Sequence, residues 1–89
     1  MPYIDQNSRD RVEITGTPNN AGELNYMITM LIQRYIDTKS GYNYQLLNDA
    51  MGALEGAKLE MYRRVAGPYE DDKAIENGDA FYVKPKGAY

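Results

Sequence analysis

Leu54-Glu55-Gly56-Ala57-Lys58-Leu59-Glu60-Met61-Tyr62-Arg63-Arg64-Val65-Ala66, followed by Gly67-Pro68-Tyr69-Glu70-Asp71-Asp72-Lys73, carries the character of this chain. Read with a period of 3.6, Leu54, Met61 and Val65 fall on one side of a helix, with Lys58 in the same row. Three bases and two acids sit among these apolar positions. Gly67 stands where a helix C′ residue belongs, and Pro68 cannot continue the hydrogen-bond ladder. The expectation is a long helix that breaks at Gly67-Pro68 into an acidic, tyrosine-bearing segment.

Working back toward the N-terminus, this helix starts near Tyr42–Tyr44, with Asn43 as a cap. Through Ala66 it would be roughly 35 Å long. Leu47, Ala50, Met51, Leu54, Met61 and Val65 make its main stripe. Gly52 and Gly56, four apart, clear one side of it for the close approach of a second backbone or a ligand. Lys39-Ser40-Gly41 is a short connection to an earlier helix, Ala21 to Thr38, and short connections join antiparallel neighbours. Asn20 is its N-cap, with Glu23 in the capping-box place. Leu24, Met27, Ile28, Leu31, Ile32 and Tyr35 form its apolar stripe, while Tyr26, Met30 and Ile36 lie off it. A helix apolar on most sides is buried on most sides, and a second subunit is the simplest cover. A short helix from Asp5 to Ile14 precedes a loop at 15–20. Beyond Gly67, Tyr69 to Glu76 has the residues for further helical turns, Asn77-Gly78 ends them, and Asp79 to Val83 reads as extended. The fold class is all-α: a small helical domain over 1–83 with two long antiparallel helices plus short terminal helices, a flexible tail at 84–89, and assembly as a homo-oligomeric bundle.

Eighty-nine residues make one domain with a thin core. The chain has no cysteine and no histidine, which excludes disulfides, Cys/His zinc sites and His-based catalytic triads. No cofactor and no metal are expected. The net charge of −3 disfavours duplex DNA as a partner. No apolar run approaches a membrane span, and Met1-Pro2-Tyr3-Ile4-Asp5 is no signal peptide, so no membrane association and a cytoplasmic location are expected. Small domains without staples gain stability by oligomerising, which names self as a partner.

Two readings compete for the polar residues. Lys58, Arg63 and Arg64 with Tyr62, Tyr69 and Tyr82 are the inventory of a site that grips a phosphate and stacks a base. The same cations also stand three or four residues from Glu55 and Glu60, as on any solvated helix. The acids Glu70 and Asp71 fit an intersubunit salt bridge to the arginines. With Leu24, Tyr26, Met30, Gly52 and Gly56 they form the expected interface set. The acidic run does not match an EF-hand loop.

Leu24-Asn25-Tyr26-x-Ile28-Thr29, Leu54-Glu55-x-x-Lys58-Leu59-Glu60-x-Tyr62-Arg63-Arg64-Val65, Pro68-Tyr69-Glu70-Asp71-x-Lys73 and Glu76-Asn77-Gly78-Asp79-x-x-Tyr82 together resemble an uncharacterised family of short phage and bacterial proteins. The opening Met1-Pro2-Tyr3-Ile4 is similar as well. The chain departs from that family by one extra residue before Tyr82, and by Arg11–Asn20 standing in place of a longer helical region. The resemblance implies phage or prophage origin and no particular reaction. Three functions are expected in turn: sequestration of a nucleotide-derived signalling molecule without turnover (an anti-defence sponge), a structural or protein-interaction module, and a small MazG-like nucleotide pyrophosphohydrolase. The last lacks the Glu-Glu-x-x-Glu cluster on either long helix.

Overall fold

A computed structural model describes residues 1–81. All regular structure among them is helical: α1 (Gln6–Thr15), α2 (Ala21–Asp37), α3 (Tyr44–Met61), a π-helical turn (Tyr62–Ala66) and α4 (Gly67–Asn77). None of these helices is long and apolar enough to cross a membrane. The chain divides into two compact units, Met1–Ala50 and one beginning at Met51, with the division inside α3. The expected tail at 84–89 lies outside the described residues.

In the first unit, the helix boundaries follow the capping chemistry. Asp5 caps α1, its carboxylate accepting from the Ser8 N–H at 2.8 Å. Gly16 closes α1 with φ of 68°, where a Cβ would be strained, and its N–H returns to the Val12 carbonyl at 2.8 Å. Asn20 caps α2 by accepting from the Glu23 N–H at 2.9 Å. Asn43 caps α3 through the Leu46 N–H at 2.7 Å. α1 packs on α2, and Val12 at 1% exposure is the most enclosed side chain.

Burial on α2 does not follow the expected stripe, of which only Met27 and Ile32 are half-buried. Tyr26, off the expected stripe, is buried at 6% exposure, while Leu24, Ile28, Leu31 and Tyr35 are open to solvent. α1 turns Val12 inward, flanked by the half-buried Arg9 and Arg11, with the exposed Glu13 at the edge of the contact. Those polar groups need Glu23 and the Tyr26 ring and hydroxyl as partners. On α3, Leu46 and Ala50 are buried. Leu47, Met51, Leu54, Met61 and Val65 of the expected stripe are exposed.

The second unit corrects the expected break. Gly67 is right-handed helical (φ −59°, ψ −55°), not a left-handed C′ residue, and helix continues on both sides of it. Pro68 has no N–H, and its ring needs room at the carbonyl four residues earlier. The widened turn supplies that room. The Gly67 N–H bonds five residues back to the Tyr62 carbonyl. A Cβ on Gly67 would stand 3.1 Å from that oxygen, a tighter contact than side chains ordinarily make, so the close approach favours glycine. α4 then ends at Gly78, as the Asn77-Gly78 pair predicts. The segment expected to be extended from Asp79 bends at Ala80, with the Phe81 N–H on the Asp79 carboxylate at 3.0 Å. Val83 lies outside the described residues.

Candidate functional site

The cations expected at the ligand site stand on the solvated surface of α3 and the π-helical turn. Each meets an acid of its own helix. Lys58 Nζ is 3.5 Å from Glu55. Arg63 donates to Glu60 Oε1 at 2.7 Å, and Arg64 approaches the same oxygen at 3.8 Å. One carboxylate therefore serves two guanidinium groups. These pairs are exposed, and such pairs add only about 0.2–1 kcal/mol.

The tyrosines of that set are also engaged locally. The Glu70 carboxylate, as an acceptor for the Tyr62 phenol and by its negative charge, holds that hydroxyl above the usual phenol range. Lys73 Nζ lies 5.7 Å from the centre of the Tyr69 ring and 3.1 Å from Glu76. Lys58, Tyr62, Arg63, Arg64 and Tyr69 are thus brought onto one short helical stretch. Tyr82, the sixth, lies outside the described residues.

Two open clefts lie in the first unit, and neither is lined by those residues. One, of about 670 Å³, runs along α1 and α2 past Val12, Glu13, Tyr26, Met30, Arg34 and Asp37. The other, of about 680 Å³, follows the α2–α3 connection past Tyr35, Lys39, Tyr42, Asn43, Leu46 and Asp49. Among the described residues no three Asp or Glu side chains gather as a metal cluster.

The expected interface residues separate by unit. In the first, Leu24 is exposed, Met30 half-buried, and Tyr26 enclosed by its own chain. In the second, Gly52 and Gly56 face open space, with nothing of the chain within 4 Å of a Cβ built on them. Glu70 and Asp71 are both exposed.

Sequence reading missed the best-built polar cluster, at the start of α2. Glu23, 5% exposed, receives Arg11 Nη2, the Asn19 N–H at 2.9 Å and Asn20 Nδ2 at 3.3 Å. The Arg11 guanidinium and the Asn19 N–H hold its carboxyl below the usual range, against the opposing effect of burial. Beside it, the Tyr26 hydroxyl donates to Glu13 at 3.3 Å and the Arg9 guanidinium lies over the Tyr26 ring at 5.2 Å. Burial and the Glu13 charge push that phenol up. The capping-box spacing had marked Glu23. Nothing in the spacing marked Arg11, twelve residues earlier on another helix. This cluster ties α1 to α2 and is structural.

The family described as Domain of unknown function (DUF6899) matches residues 1–80. No curated protein and no solved structure matches the chain.

Proposed function

We propose that this chain, which belongs to the DUF6899 family, is a protein-interaction module that associates with copies of itself through the helical surface between Met51 and Phe81. One observation carries the reading: from Met51 to Phe81 no residue is buried, although Met51, Leu54, Met61, Val65, Ile75 and Phe81 are all large and apolar. A side chain of that size gains about 1.5–3 kcal/mol on full burial. Exposed apolar rows of this extent mark interaction surfaces. Met51, Leu54, Met61 and Val65 follow helical steps on one side, so a single partner helix can cover them together. The smooth strip at Gly52 and Gly56 would let that partner approach closely. Sedimentation equilibrium tests the reading. The wild-type chain is expected to show a mass above the monomer, and the Met61→Glu/Val65→Glu double variant the monomer mass with its helix content kept. A wild-type chain that stays single across the accessible concentration range overturns it.

A second reading has its own support. Arg63 and Arg64 share the Glu60 carboxylate, so positive charge remains for an outside anion. On that reading Lys58, Tyr62, Arg63, Arg64 and Tyr69 hold a nucleotide-derived signalling molecule, as a phage-encoded sponge in a host cytoplasm would. Calorimetry with cyclic dinucleotides and ADP-ribose derivatives tests it. Heat from one of these that disappears in Arg63→Ala supports it, and silence across the panel rejects it. The interaction module is the stronger reading, because the row of exposed apolar side chains needs a cover.

A further inference from the structure

We propose, resting on the self-association reading above, that the row Met51, Leu54, Met61 and Val65 of one copy packs against the exposed α2 row Leu24, Ile28, Leu31 and Tyr35 of another. These four large apolar side chains of α2 are all exposed. They follow one another at steps of four, three and four, which keeps them on one side of the helix. Tyr26, which meets Arg9 and Glu13 of α1, is two residues from both Leu24 and Ile28 and so lies on the far side of α2 from them. A partner can therefore cover the row and leave the α1–α2 seam intact.

Two observations make a second copy the occupant. The first is the match of the two rows. Leu24 to Tyr35 runs roughly 16 Å along α2, and Met51 to Met61 runs roughly 15 Å along α3. Both advance by alternating steps of three and four, the spacing with which the ridges of one helix fill the grooves of another. The second is charge. Lys58 is the middle position of the row from Met51 to Val65. Packing that row on its own counterpart in register, parallel or antiparallel, brings Lys58 against Lys58, and like charges so placed repel. The α2 row carries no charge. Against it Lys58 keeps its Glu55 partner at 3.5 Å and meets no second ammonium in the row. The contact thus joins unlike surfaces, head to tail, and every copy offers one of each.

Complementation between two variants tests this. One carries Leu24→Glu and Leu31→Glu, the other Met61→Glu and Val65→Glu. All four side chains are exposed, so both variants are expected to keep wild-type helix content by circular dichroism. Each alone is expected to sediment as a monomer at concentrations where the wild type associates, a loss of at least about tenfold in affinity. An equimolar mixture is expected to regain association, because the first variant has an unaltered row from Met51 to Val65 and the second an unaltered α2. If the α2 variant associates as well as wild type, or the mixture stays monomeric, this pairing is overturned. The interaction module survives that result provided Met61→Glu/Val65→Glu still abolishes association. A wild-type chain that never associates removes both.

Discussion

Val12 is the only fully enclosed large side chain among the described residues, and it closes the seam where α1 meets α2. Val12→Ala removes two methyl groups and leaves a void, costing about 2 kcal/mol. In a domain this small that lowers Tm by roughly 10 °C, readable by thermal circular dichroism. Glu23 adds a pH dependence of definite sign. Its folded carboxyl lies below the unfolded value of about 4.3. The stability it contributes is present above that value and drains away as pH falls through the lower folded one. The Tyr26 and Tyr62 phenols act at the other end, because both are raised. Their contribution holds below about pH 10 and is lost as pH rises beyond it. Denaturant titrations across pH are expected to show both flanks, and Arg11→Ala to flatten the acid one. An unchanged acid flank in Arg11→Ala would refute the role given to that pair.

At the level of elements, the π-helical turn is the feature with the clearest mechanical cause. Pro68 demands it and Gly67 permits it. Replacing glycine by alanine inside a helix ordinarily gains roughly 0.5–1 kcal/mol. Here the new Cβ would press on the Tyr62 carbonyl, so Gly67→Ala is expected to give no gain and to lower helix content around Tyr62 to Tyr69. Exchange protection of the amides in that stretch measures this directly, and slower exchange in the variant would contradict the account. At Asn20 the reasoning is simpler. Asn20→Ala removes the α2 cap and one of the three donors to Glu23, at a cost of about 1 kcal/mol for the cap alone.

For the whole molecule, the balance of covered and uncovered apolar surface matters most. The first unit has a small interior: Val12, Tyr26, Leu46 and Ala50. The second has helix content and exposed apolar side chains without a single buried residue from Met51 to Phe81. Helices of this length draw most of their stability in proteins from packing, not propensity. Helicity of the full chain is therefore expected to rise with protein concentration, in step with the association seen by sedimentation. Helicity independent of dilution would count against the proposed assembly.

Capping and turn residues act within a few positions of one another. Asp5, Asn20, Asn43 and Gly78 therefore announced the helix ends from sequence alone, and the all-helical class followed from the 3.6-residue spacing. Charge pairs three or four apart, such as Glu55 with Lys58 and Glu60 with Arg63, were legible for the same reason. Which face of α2 is buried was not legible, because it depends on what α1 presents from more than ten residues away. Arg11 and Glu23, Arg9 and Tyr26 meet only once the two helices dock. The continuation through Gly67-Pro68 was equally hidden. Glycine and proline are locally the marks of a helix end, and only the wider π-helical turn, with the Tyr62 carbonyl reaching the Gly67 N–H, made them compatible with a helix that goes on.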